Sequence, residues 1–169
     1  DNKRDIFQCL KKYKPPRGMV FRELLANYFL PTLSVVIRKT AMQGHEWFDE
    51  QFRNIEDMDL FLRIAYSHKL DYVDEPLVRW RFHDQNRTNK DYGLFAAEWE
   101  LLLEKLISLY PNFKKDYSSE IEKYIAKTIQ LKILGEWLNH NPMQARKLLK
   151  ASDFSNVLRC SLFCLTFLP

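Results

Sequence analysis

The sequence predicts an α/β chain, in which strands and helices alternate up to about residue 90 and only helices follow. Two observations lead to this prediction. Short β-branched runs bounded by Pro or Gly lie in the first part, whereas long stretches with apolar residues at helical spacing fill the second. We therefore predict two regions, residues 1–90 with mixed structure and residues 91–169 with helices alone.

The first region contains two predicted helices and three predicted strands. The helices are "VFRELLANYF" (20–29) and "EDMDLFLRIAYSHK" (56–69), and the strands are "LSVVIRK" (33–39), "LDYVDE" (70–75) and "PLVRWRFH" (76–83). The apolar residues of the second helix fall on one stripe, so we expect this helix to pack against a sheet.

The second region begins with three predicted helices and ends in an apolar tail. The helices cover residues 92–110, 118–140 and 142–152, and prolines mark their boundaries. The tail, residues 154–168, has a single charge at Arg159 and is shorter than the ~20 residues of a membrane span. We expect it to pack on the preceding helices; pairing with a second copy or lying on a membrane surface are the alternatives.

Composition limits the class of protein. A chain of 169 residues with 46% hydrophobic residues can build a full core, which excludes a disordered chain. Its three cysteines, Cys9, Cys160 and Cys164, form no CxxC pair, so neither a disulfide framework nor a zinc site is predicted, and a reducing compartment fits best. The net charge of +4 is mild and the signs are mixed, so nucleic acid is not an expected partner.

The third predicted strand separates apolar from cationic side chains. If residues 76–83 are extended, Val78, Trp80 and Phe82 share the core face. The opposite face carries Leu77, Arg79, Arg81 and His83. A row of cations that ends in an imidazole is suited to bind a pyrophosphate or a metal bound to one. An edge strand with a solvated basic face is the alternative.

Two adjacent carboxylates, Glu56 and Asp57, open the helix at 56–69. Asn54 is a favourable N-cap, and acidic residues in the first turn complement the helix dipole, so a purely structural explanation exists. The alternative is that a reaction needs a base at this position. A helix N-terminus would keep Asp57 ionised, as a base must be, so the two explanations are compatible.

The order of these motifs resembles the C-terminal half of family 2 glycosyltransferases of the GT-A fold. The similarity extends over roughly residues 16–88. In order, it comprises Gly18 with "FRELL", "SVVIRK" to Arg38, "GHEWFDE" with Gly44, Phe48, Asp49 and Glu50, "EDMDLFLR" with Glu56, Asp57 and Arg63, and "EPLVRWRFH" with Arg81 and His83. Each motif alone is weak, and five in the right order are specific.

The resemblance implies a sugar transfer reaction with assigned residues. It implies that Asp57 is the general base that deprotonates the acceptor hydroxyl and that Glu56 supports it in the acceptor site. His83 would help to hold a divalent metal, Mg²⁺ or Mn²⁺, on the nucleotide-sugar donor, with Arg79 and Arg81 beside the diphosphate. The acceptor would be a glycan or a lipid-linked sugar, and the location cytoplasmic, with peripheral contact at the inner face of the cell membrane.

The departures from the family limit this expectation. The donor-binding half, with the DxD that follows an apolar strand, is absent, and "DMD" at 57–59 opens a helix instead. We therefore expect the chain to be a fragment, the acceptor-side half of a GT-A domain in residues 1–90 followed by a helical region, inactive in isolation. The alternative is a helical protein–protein interaction module on a degenerate, non-catalytic scaffold.

Overall fold

The computed structural model describes residues 14–79 and 92–152, and these residues form a helical protein. Six α-helices follow one another in the described residues: α1 (Phe21–Ala26), α2 (Glu56–Ala65), α3 (Tyr92–Leu109), α4 (Phe113–Asp116), α5 (Ser118–Leu138) and α6 (Pro142–Ala151). Two short 3₁₀ turns, Thr32–Ser34 and Lys39–Met42, lie between α1 and α2.

The prediction of an α/β chain is wrong. About 60% of the described residues are helical, and no sheet occurs among them, so the fold class is helical and not that of an α/β GT-A half. The one β-type pairing in this part of the chain is a single antiparallel bridge, in which Gly18 and Leu70 exchange two hydrogen bonds of 2.8 Å.

The segment "LSVVIRK" keeps the side-chain alternation of a strand without pairing as one. Val35 is extended, and Val35 and Ile37 pack on the cluster of Met42, Leu60 and Phe61. Val36 between them is 96% exposed. A strand becomes stable only when a neighbour satisfies its backbone hydrogen bonds, and in the described residues this segment packs directly on α2 instead.

The other two predicted strands also fail as strands wherever the structure describes them. Residues 71–79 have no regular secondary structure. Val78, predicted to be in the core, is 47% exposed. The rest of this predicted strand lies outside the described residues: Trp80, Arg81, Phe82 and His83. Which of these side chains face the core stays a prediction.

The helix that carries the paired carboxylates forms as predicted, although it ends at Ala65 rather than at residue 69. Its N-cap is Ile55 and not Asn54, and no side chain of residues 14–79 or 92–152 caps it there. Three acidic residues, Glu56, Asp57 and Asp59, lie in the first turn, where the partial positive charge of the helix end favours them.

Both predicted regions contribute to one hydrophobic core. The first region supplies Val20, Phe21, Leu24, Leu25, Phe52, Ile55, Met58, Leu62 and Ala65, and the second supplies Leu102, Leu106, Phe113 and Tyr124. Aromatic rings join the two regions: Tyr66 stacks on Tyr110 with ring centroids 3.6 Å apart, and Phe21 meets Tyr117 edge-on at 5.0 Å. Helices α3 and α5 therefore complete the surroundings of α2.

The helical region itself is closely packed. Tyr124 of α5 donates a hydrogen bond of 2.9 Å to the carbonyl of Trp99 in α3, and Ile133 packs on Ala145 and Leu149 of α6. Across residues 14–79 and 92–152, no helix has both the length and the apolar character needed to cross a membrane. The predicted packing of the tail falls at 154–168, outside the described residues.

Candidate functional site

Asp57 lies in the first turn of α2 and is half-buried. One of its carboxylate oxygens accepts a hydrogen bond from the hydroxyl of Thr32, and the other accepts the backbone N–H of Met58 at 2.8 Å. Thr32 belongs to the 3₁₀ turn that follows α1, so two separate segments fix the orientation of this carboxylate. The partly exposed oxygens can still accept a proton from a bound hydroxyl.

Two buried polar atoms beside this carboxylate have no hydrogen-bond partner among the described residues. They are the hydroxyl oxygen of Tyr28 and Oε2 of Glu56. Burial raises the pKa of Tyr28 far above its usual range, and the negative charge of Asp57 raises this pKa further, so Tyr28 keeps its proton. Buried polar atoms usually have partners, so this donor and this acceptor are both unsatisfied within the described residues.

A network of charged side chains, Asp59 and Arg63 of α2 with Lys105 of α3, lies next to Asp57 in the sequence of α2. Arg63 donates to Oδ2 of Asp59 through Nε at 3.1 Å and Nη2 at 2.8 Å, and it also donates to the carbonyls of Glu46 and Trp47, both at 2.8 Å. The other oxygen of Asp59 has an ionic contact of 2.9 Å with Lys105 that lacks the direction of a hydrogen bond. The charges are paired, as burial requires.

Lys105 extends this network to the "GHEWFDE" loop. Its ammonium group contacts Oδ2 of Asp49 at 2.7 Å, and this hydrogen bond holds the pKa of Asp49 below its usual range. The loop is thus anchored by Arg63 at residues 46 and 47 and by Lys105 at residue 49. Although its carbonyl is bound by Arg63, Trp47 is 67% exposed.

Glu98 of α3 holds the backbone just before α2. Its carboxylate accepts the backbone N–H groups of Arg53 and Asn54, each at 3.0 Å, and the side-chain amide of Asn54 at 3.3 Å. Asn54, predicted as the N-cap of α2, therefore binds Glu98 instead of capping the helix.

Glu98 and Lys105 were missed in the sequence analysis. The signal that could have identified them is their spacing: with Leu102, which is buried, they recur at helical intervals on one face of α3. Charged residues on the buried face of a helix need partners, and these two find them in the segment from 49 to 59.

The predicted row of cations is only partly described. Arg79 is exposed, whereas Arg81 and His83 lie outside the described residues. In the part of the chain that the structure describes, no group of three or more His, Cys, Asp or Glu side chains is arranged to hold a metal ion. The predicted proximity of this row to Asp57 stays a prediction.

A cavity of about 360 Å³ lies between α3 and the loop before α2. Its lining includes Asp49, Phe52 and Lys105, but neither Glu56 nor Asp57. This cavity is therefore separate from the surroundings of Asp57, which include Thr32 and Tyr28.

No protein family, curated protein or solved structure matches this chain. The assignment of a function therefore depends on the order of the motifs and on the geometry at the start of α2.

Proposed function

We propose that this chain supplies the acceptor side of a glycosyltransferase that moves a sugar from a nucleotide-sugar donor to a glycan or lipid-linked acceptor. The single observation that carries the proposal is the environment of Asp57. This carboxylate lies at the start of α2, is oriented by Thr32, and is partly open beside the unpaired hydroxyl of Tyr28. The resemblance to family 2 glycosyltransferases assigns the role of general base to the same residue.

The chemistry follows from these groups. Asp57 takes the proton of the acceptor hydroxyl, and the oxygen forms a bond to the anomeric carbon of the donor sugar as the bond to the diphosphate breaks. The phenol of Tyr28 donates to an acceptor oxygen, and Oε2 of Glu56 accepts from a second acceptor hydroxyl, which would satisfy both unpaired atoms. A sugar with neighbouring hydroxyls has the donors and acceptors that this arrangement requires.

The DxD that would bind the nucleotide-sugar donor is not among these 169 residues, so the proposal gives them only part of the donor site. Mg²⁺ or Mn²⁺ at His83, with Arg79 and Arg81 on the diphosphate, belongs to the same proposal. The steps assigned above to Asp57, Tyr28 and Glu56 do not depend on that metal. We further propose that the reaction takes place on the cytoplasmic side, with an acceptor at the inner face of the membrane.

The test is the release of nucleoside diphosphate from a panel of sugar nucleotides by the complete gene product, with Mg²⁺ or Mn²⁺ present. Asp57→Asn should lower turnover by about 10²-fold or more, because general-base catalysis typically contributes roughly 10² to 10⁴. Asp116→Asn, which changes an exposed carboxylate of α4 in the same way, is the matched control. Wild-type turnover in Asp57→Asn would refute the proposal, because the environment of Asp57 is the observation that carries it.

A second candidate function is a protein–protein interaction module. One observation favours it: large apolar side chains of the first region are exposed, with Val36 at 96% and Leu77 at 67%. Contiguous exposed apolar side chains mark binding surfaces, whereas single ones are common on any protein. The same assay separates the two candidates, because an interaction module would not turn over any sugar nucleotide.

A further inference from the structure

We propose that Glu98 is a positioning residue, which holds the start of α2 from helix α3 and thereby sets the location of Asp57. This inference rests on the proposed function, since it concerns the placement of the proposed base. It assigns a role in the reaction to a residue of the helical region, far along the chain from the motifs of the first region.

The contacts of Glu98 are specific to a carboxylate. One oxygen accepts the N–H of Arg53 and the side-chain amide of Asn54, and the other accepts the N–H of Asn54. All three partners are donors, and an ionised carboxylate has only acceptors to offer. The residue is 5% exposed, so these bonds are made away from bulk water, where their loss is costly.

These contacts determine where α2 begins. Arg53 and Asn54 directly precede the N-cap Ile55, and the first turn with Glu56 and Asp57 follows at once. No side chain caps the N-terminus of α2, so the entry of the chain into this helix is held at the two amides that Glu98 binds. A negative charge at this end also complements the helix dipole.

Helix α3 holds the chain segment from residue 49 to residue 59 at two further points. Lys105, two turns after Glu98, contacts Asp49 before the amides and Asp59 after them. Packing alone would need only apolar side chains on this face of α3. Burying Glu98 and partly burying Lys105 there has a desolvation cost, which their contacts with residues 49 to 59 compensate.

The test uses the complete gene product and compares Glu98→Gln with Glu104→Gln, the same change at an exposed position of α3. Glutamine turns an NH₂ group toward one of the two backbone amides, so one hydrogen bond becomes a donor–donor contact. We expect kcat to fall on the order of 10- to 100-fold with the KM for the donor changed less than about twofold, as a small misplacement of a catalytic group does. Glu104→Gln should keep wild-type values.

A second readout does not depend on catalysis. Amide hydrogen exchange measured on the 169-residue chain should accelerate at Arg53 and Asn54 in Glu98→Gln and stay unchanged in Glu104→Gln. Wild-type exchange at both amides in Glu98→Gln would overturn the inference. So would wild-type kcat in Glu98→Gln together with the expected loss in Asp57→Asn. Wild-type kcat in Asp57→Asn would refute the proposed function itself, whatever the amides do.

A milder variant covers the case in which Glu98→Gln does not fold. Asn54→Ala removes only the side-chain bond to Glu98 and leaves both backbone bonds possible. It should accelerate exchange at the Arg53 amide and lower kcat at least about twofold, since the carboxylate oxygen that binds this amide loses its second hydrogen bond. Unchanged exchange and unchanged kcat in this variant would contradict the inference.

Discussion

Arg63 donates two hydrogen bonds to a single carboxylate oxygen of Asp59, one turn earlier on α2, and both side chains are buried. The rest of the guanidinium binds the carbonyls of Glu46 and Trp47, so one side chain joins the helix to the loop before it. Lys105 adds a third charge from α3 at 2.9 Å. The pair thus connects three segments that are far apart in sequence.

Asp59→Asn should therefore be strongly destabilising. The change leaves the buried cation of Arg63 beside a neutral amide and removes one of the two ionic contacts of Lys105, and breaking a buried pair in this way typically costs about 3–5 kcal/mol. The free energy of unfolding from urea denaturation measures the loss. Glu100→Gln is the control, because it breaks an exposed pair with Lys132 and should cost less than about 1 kcal/mol. Equal losses in the two variants would contradict the buried network.

The sequence predicted the helices better than the contacts between them. Apolar spacing and prolines located α2, α3, α5 and α6, because these signals are local. The strands were wrong for a physical reason: the alternation in "LSVVIRK" reports which side chains are buried, and Val35 and Ile37 are indeed the inward ones. Alternation alone does not report whether a neighbouring strand is present.

In the candidate site, too, the residues of a local motif could be predicted and the contacts between distant segments could not. Glu56 and Asp57 could be selected from a motif, since the relevant residues are adjacent in sequence. Glu98 binds Arg53 and Asn54, which precede it by 45 and 44 positions in the sequence, and no local pattern encodes a contact over that separation. Tyr28 was missed because only the fold places its hydroxyl, buried and unpaired, near Asp57.

Tyr28→Phe should stabilise the protein while weakening acceptor binding. The hydroxyl is buried without a partner among the described residues, and removing such a group relieves a desolvation cost of about 1–3 kcal/mol. The KM for the acceptor should rise because the ligand loses a donor. Thermal unfolding and acceptor titrations of the complete gene product measure the two effects.

Tyr124→Phe is the matched control for that prediction. Its hydroxyl donates a hydrogen bond to the carbonyl of Trp99, so its removal should lower stability by about 1 kcal/mol and leave the KM unchanged. If Tyr28→Phe is as destabilising as Tyr124→Phe, the Tyr28 hydroxyl has a partner inside the protein, and its assignment to the acceptor is wrong.

Acidification should destabilise the protein through His45. Burial lowers the pKa of His45 below its usual value of 6.5, and the positive charge of Arg63 and the neighbouring His68 lower this pKa further. The unfolded chain therefore binds this proton first as the pH falls, so the free energy of unfolding decreases from pH 6.5 down to the pKa of folded His45. Urea denaturation between about pH 7.5 and about pH 5.5 should show a flatter dependence in His45→Gln. The same slope in both proteins would exclude His45 as its origin.

Gly135→Ala should destabilise the protein although alanine is the better helix former. In an unconstrained helix interior this change is worth about 1 kcal/mol in favour of alanine. At residue 135 of α5, however, a Cβ would lie 3.0 Å from the backbone nitrogen of Gly93 and 3.4 Å from the backbone carbon of Tyr92 in α3. Backbone atoms cannot rotate away as a side chain does, so the two helices must separate, at a cost of about 1–3 kcal/mol.

Ser119→Ala, at an exposed position of the same helix, should stay within about 0.5 kcal/mol of the wild type. A higher melting temperature in Gly135→Ala would mean that α3 and α5 lie further apart in solution, because only the helix propensity would then act.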